Sequence, residues 1–238
     1  MADGPLSILC FGDSLTQGYH SFGMGKNPYG EKLEETLKAA MPGRDIRVYV
    51  NGVPGDFATG QAFSRRLRQA SRRIRAGPTG DVRPYDWVII LGGTNDLARC
   101  CTGQMIVDAL KACWDIPLAK GSKVLALTVP ESRPKPDWLA AQLVRSPLPR
   151  LLSVPSLGSP RADHDAVAPP LTRLASYSFD LHAKVPFHSL SVADQDKYWD
   201  DGLHLTADGY WWMGGHIADG LLQIFETMGG GQQKMAPQ

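Results

Sequence analysis

Apolar and polar positions fall into blocks along the chain. Ile8, Leu9, Cys10 and Phe11 form an unbroken apolar run, the pattern of a strand buried on both faces in a parallel sheet. Comparable runs predict a second strand over Ile46–Val53, a third over Asp86–Leu91, a fourth over Val124–Val129 and a weaker fifth over Tyr177–Leu181. Helical periodicity fills the intervals. Leu33 and Leu37 lie four apart within 29–41, a second helix is predicted over 59–76, and Ile106, Leu110 and Cys113 mark one face of 105–120. Ile217, Leu221, Ile224, Phe225 and Met228 mark the apolar face of a last helix. Strands alternating with helices of this length predict βαβ units, hence an α/β fold with a mostly parallel sheet covered on both faces.

Two stretches depart from this pattern. Arg145–Thr172 lacks periodicity and holds six of the chain's 18 prolines. A connection beyond about 15 residues is rare in a compact domain, so this stretch reads as an insert, a disordered excursion or a lid. It interrupts a helix that "DWLAAQLV" begins. The tail from 229 to 238, "GGGQQKMAPQ", has the composition of a disordered end. A chain of 238 residues, 43% hydrophobic, then suits a single domain over 1–228.

Charge and cysteine content narrow the function classes. A formal net charge of +1 gives no electrostatic case for nucleic acid or an anionic membrane. The one basic cluster, Arg65, Arg66, Arg68, Arg72, Arg73 and Arg75, falls at helical spacing and reads as a solvated helix face. Cys10, Cys100, Cys101 and Cys113 have neither metal-ligand spacing nor a CxxC, and read as unpaired thiols in a reducing compartment. No apolar run approaches the ~20 residues of a membrane span, and "MADGPLS" lacks the charged and apolar regions of a secretion signal. The expectation is a cytoplasmic protein needing no metal and no cofactor, its oligomeric state not legible.

Candidate chemistry sits where strands end. "GDSLTQG" follows the first strand, placing Asp13 and Ser14 at the carboxyl edge of the sheet, where open α/β folds keep their sites. A serine there serves as a nucleophile or, with Asp13, as a helix cap. A nucleophilic serine needs a base. His20, His164, His182, His188 and His216 have no polar partner at motif spacing, whereas His204 in "YWDDGLHLTADGY" follows Asp201 by three residues. In a tight turn that spacing brings carboxylate and imidazole together, fixing the tautomer and leaving the other nitrogen for a serine. Thr206 beside it reads as a helix cap. Two further strand ends, "NGVPGD" and "GGTNDL", offer Gly55 with an unobstructed N–H and Asn95 with an amide donor, the kind of groups that hold an oxyanion. Phe22, Met24, Phe57 and Trp114 read as core packing, with an apolar pocket as the alternative.

The four blocks "FGDSLTQG", "NGVPGD", "GGTNDL" and "DGLHLT", in this order, resemble those of the SGNH (GDSL-type) ester hydrolases. The "YWDDGLHLT" stretch is similar to the subset of these esterases common in fungi. The resemblance implies a flavodoxin-like three-layer α/β/α sandwich with a five-stranded sheet. It also implies Ser14 as nucleophile, His204 and Asp201 as the rest of a triad, and Ser14, Gly55 and Asn95 as oxyanion donors, acting on a small-molecule ester with no cofactor. The rival from another class is a catalytically silent module of the same fold that binds a ligand or partner. The G-x-S-x-G elbow of α/β-hydrolases is absent, and Lys26 in "GMGKN" is neither preceded by a strand nor followed by Ser or Thr, as a phosphate-binding loop requires.

Overall fold

A computed structural model describes residues 4–71, 74–76, 81–134 and 177–230. The apolar run at the start becomes β1 (Leu6–Gly12), buried along its whole length. The chain then forms α1 (Ser14–Gln17), a short ribbon of β2 (Tyr19–His20) and β3 (Gly25–Lys26), α2 (Tyr29–Ala40), β4 (Ile46–Gly52) and α3 (Gln61–Ala70). A second ribbon pairs β5 (Ile74–Ala76) with β6 (Asp81–Arg83). There follow β7 (Trp87–Leu91), α4 (Thr94–Ala98), α5 (Gly103–Leu118), β8 (Lys123–Leu127), β9 (Tyr177–Phe179), α6 (Leu181–Lys184), α7 (Val192–Tyr198) and α8 (Ala207–Gly230).

Five strands join in the order β4-β1-β7-β8-β9, every pairing parallel. Because strand side chains alternate, β1 feeds two cores. Leu6, Ile8 and Cys10 pack with Leu33 and Leu37 of α2 and Met213, Ile217 and Leu221 of α8. Leu9 and Phe11 pack on the other face with Phe63 and Leu67 of α3 and Ile106, Leu110 and Trp114 of α5. This is a three-layer α/β/α sandwich, and its carboxyl strand ends, Gly12, Gly52 and Leu91, share one rim.

Several boundaries differ from expectation. The helix predicted over 59–76 stops at Ala70, and Ile74–Ala76 form a strand instead. The arginine spacing that extended it carries no burial signal, whereas Phe63 and Leu67, which do face the core, end at 67. Met228 is 38% exposed although it continues the apolar stripe of α8. Trp114 belongs to the core as predicted, but Phe22 and Met24 are 90% and 87% exposed, so core packing fails for both. The insert over 145–172, the helix begun by "DWLAAQLV", His164 and the tail beyond 230 lie outside the described residues.

Candidate active site

The site begins where β1 ends. A Cβ at Gly12 would lie 2.2 Å from both the Leu91 carbonyl oxygen and the Thr16 hydroxyl, so only glycine lets the chain turn there. Asp13 caps α1, its Oδ1 accepting the Leu15 N–H at 3.0 Å. The cap role therefore falls to Asp13 and leaves the Ser14 hydroxyl free for another partner. Burial pushes the Asp13 carboxyl up from 3.8 to about 7; the Leu15 N–H and the Thr94 hydroxyl oppose that rise, and the nearby Asp96 adds to it.

Ser14 Oγ lies 2.9 Å from His204 Nε2, although the two residues are 190 apart in sequence. Asp201 Oδ2 lies 2.8 Å from His204 Nδ1. With the imidazole proton on Nδ1, that nitrogen donates to Asp201 and the Ser14 hydroxyl donates to Nε2, so one tautomer serves both bonds. Asp201 Oδ1 also accepts the backbone N–H groups of Leu203 at 2.8 Å and His204 at 2.7 Å. Partial burial alone raises the Asp201 carboxyl, but the His204 side chain and these two N–H groups outweigh it and hold the carboxyl below its ordinary range.

The loop carrying Asp201 and His204 is tied at several points. Trp199 and Leu205 form an antiparallel bridge, and the Asp200 N–H donates to the His204 carbonyl at 2.9 Å. The Arg133 N–H donates to the Gly202 carbonyl at 2.7 Å. Thr206 caps α8 through its hydroxyl, which accepts the Gly209 N–H at 3.1 Å.

Gly55 and Asn95 meet through one residue. Asn95 Nδ2 donates to the Asp56 carbonyl at 2.9 Å, and Gly55 adopts a left-handed backbone, φ 76°, in the turn just before it. Neither Gly55 nor Asn95 bonds Ser14 directly. The link runs through Arg66, which the sequence reading left on a solvated face. Its guanidinium donates to the Gly12 carbonyl at 2.7 Å, the Asn51 carbonyl at 2.8 Å, the Asn51 side chain and Asp56 Oδ2 at 2.8 Å. Asp96 is a second residue that the sequence reading did not single out. Fully buried, it accepts the Ala58 N–H at 2.8 Å and both the N–H and the hydroxyl of Thr59, at 2.9 and 2.6 Å. It fastens the "GGTNDL" block to the loop after β4. For Arg66 the available signal was its place beside Leu67 on the inward side of α3; for Asp96 it was an acid one residue after Asn95.

Among the described histidines, His20 contacts Asn27 Oδ1 and Ser21 Oγ, His182 the Val129 carbonyl and His188 the Ser132 carbonyl. Burial pushes the Cys10 thiol up to about 12, against a smaller lowering by Tyr29, and raises Cys113 to about 11. Neither offers a thiolate at neutral pH. Among the described residues no group of three or more His, Cys, Asp or Glu side chains is arranged to hold a metal ion. Nor is any helix among them long and apolar enough to cross a membrane.

Residues 10–212 match the GDSL-like Lipase/Acylhydrolase family. The chain is similar in structure to the lipase/acylhydrolase from Enterococcus faecalis, with 21% identity, 91% of this chain and 95% of that chain covered, and a TM-score of 0.60. It is similar also to a carbohydrate acetylesterase family member from Sinorhizobium meliloti, at 17% identity, 91% and 97% coverage and a TM-score of 0.58. The acetylxylan esterase Axe2 from Geobacillus stearothermophilus aligns at 17% identity, 91% and 94% coverage and a TM-score of 0.56. At these identities the likeness is one of fold. No curated protein matches the chain.

Proposed function

Since the chain belongs to the GDSL-like lipase/acylhydrolase family and is a carboxylic ester hydrolase of that kind, we propose that it works through an acyl-serine intermediate formed on Ser14. The observation that carries this reading is the 2.9 Å approach of Ser14 Oγ to His204 Nε2. His204 takes the Ser14 proton as Oγ attacks the ester carbonyl, and Asp201 stabilises the imidazolium that results. When the tetrahedral intermediate collapses, His204 Nε2 returns the proton to the alcohol oxygen and the alcohol leaves. Water then repeats the sequence on the acyl-serine, releasing the acid and restoring the serine.

The developing oxyanion falls to the N–H groups of Ser14 and Gly55 and to the amide of Asn95. An amide NH₂ carries two hydrogens. Asn95 spends one on the Asp56 carbonyl, which aims the other. Small, short-acyl esters are the favoured substrates in this reading, acetates first, because two of the structural neighbours are described as acetyl esterases. Four unpaired thiols favour a reducing compartment, and with it the cytoplasm.

The test compares wild type with Ser14→Ala on p-nitrophenyl acetate. Turnover by the wild type and its loss in the variant are expected. Equal turnover by both removes Ser14 as the nucleophile, and no turnover by either favours the silent binding module.

A further inference from the structure

The turn between β2 and β3 holds Phe22 and Met24 in solvent at a cost the chain did not need to bear. Ser21 and Phe22 both have left-handed backbones, φ 51° and 54°, a conformation that side-chain-bearing residues adopt only when their surroundings enforce it. The enforcement is visible. The Ser21 N–H donates to Asp200 Oδ2 at 2.7 Å, His20 Nε2 meets Asn27 Oδ1 at 2.7 Å, and the Tyr210 hydroxyl donates to the Tyr19 carbonyl at 2.8 Å. The product is a fixed turn whose two large apolar side chains are 90% and 87% exposed.

The turn is also fixed in place relative to the reacting groups. The Tyr19 ring packs on the His204 ring, centroids 4.8 Å apart. Gly23 sits against the same ring, since a Cβ there would lie 3.0 Å from Tyr19. Phe22 and Met24 flank Gly23, so the turn that carries them abuts the ring that packs on His204. The Asp200 anchor carries the same link along the backbone, through its N–H bond to the His204 carbonyl.

We propose that Phe22 and Met24 bind the alcohol portion of the ester and select apolar alcohols. The inference rests on the Ser14–His204 reading above. His204 Nε2 must deliver its proton to the leaving alcohol oxygen, so the alcohol lies on the imidazole side, while the oxyanion lies toward Gly55 and Asn95. A flexible thioether beside a phenyl ring adapts to aliphatic or aromatic groups. Neither side chain supplies a hydrogen bond for a sugar.

The test is the ratio of variant to wild-type kcat/KM for Phe22→Ala/Met24→Ala on esters that vary one half at a time. Each ester is its own reference, so differences in leaving-group chemistry cancel. The ratio is expected to stay near one for methyl acetate and methyl hexanoate and to fall about tenfold for hexyl and 1-naphthyl acetate, as apolar contact area is lost. The loss should appear in acylation only, with deacylation of a common acetyl-serine unchanged, because the alcohol has already departed. A ratio that is the same for all four esters, one that follows acyl length, or a loss confined to an acetylated sugar each overturns the proposal. Both side chains face solvent, so folding is not at stake, and circular dichroism of the variant checks it. If Ser14→Ala retains activity, it is the underlying reading that fails, and the alcohol series still tells whether this turn touches the substrate.

Discussion

Arg66 and Asp56 pair at 2.8 Å with their side chains only 17% and 10% exposed, under the rim where β1 and β4 end. The guanidinium also lies over the Phe11 ring, 4.0 Å from its centroid. One cation thus fastens the residue before Asp13, the end of β4 and the loop that carries Gly55. Arg66→Ala leaves Asp56 without its partner and the Gly12 and Asn51 carbonyls without these donors, a cost of about 3 kcal/mol for a largely buried pair. Chemical denaturation should register that loss together with a drop in kcat. Arg66→Lys should rescue little, because an ammonium cannot present a planar fork to four acceptor atoms at once. A variant as stable and as active as the wild type would mean that these bonds do not hold the site.

Asn95 offers a cleaner separation of binding from chemistry. If its free amide hydrogen meets the oxyanion, the contact tightens only as the carbonyl becomes tetrahedral. Asn95→Ala should then lower kcat about 10²- to 10³-fold with KM little changed. Asn95→Asp, of nearly the same size but without the donor, should lose as much. A rise in KM with kcat intact would instead make Asn95 a ground-state binding residue.

Much of this arrangement is legible in the sequence. Leu33, Leu37, Ile106, Leu110 and Cys113 are buried where periodicity places them, because burial of a helix stripe is a one-dimensional signal. Asp201 and His204 are close in sequence, so their contact needed only a turn. Arg66 escaped because it stands among the exposed Arg65 and Arg68, and its partners Gly12, Asn51 and Asp56 come from the end of β1, the end of β4 and the loop after β4. Phe22 and Met24 escaped for the opposite reason. Hydrophobicity argues for burial, whereas both stand exposed in a turn whose left-handed residues, Ser21 and Phe22, leave no periodic signal.

Asp201 tests the division of labour within the proposed triad. Its carboxylate accepts His204 Nδ1–H and two backbone N–H groups at once. Asp201→Asn keeps the shape but can turn an amide hydrogen toward Nδ1, stabilising the tautomer that blocks Nε2 as a base. A fall in kcat on the order of 10⁴-fold is expected by analogy with other Ser-His-Asp triads, without loss of fold by circular dichroism. A fall of less than about tenfold would leave Asp201 as a loop-closing residue with no part in the chemistry.

Asp13 makes a prediction about stability rather than rate. Its carboxyl titrates at about 7 in the folded chain against an ordinary 3.8, chiefly because it is buried. An acid raised by folding binds a proton more tightly in the native state, so its contribution is fully present below pH 3.8 and is lost as pH rises through 7. Between those values the unfolded chain gives up the proton while the folded chain keeps it. Stability should therefore fall with rising pH by an amount on the order of 4 kcal/mol, then level off above pH 7. Asp13→Asn keeps an oxygen for the Leu15 N–H and removes the titration. The direct measurement is urea unfolding of wild type and variant at intervals from pH 4 to 8. The variant should gain on the wild type steadily across that window; a constant difference between them would show that Asp13 is already ionised in the folded protein.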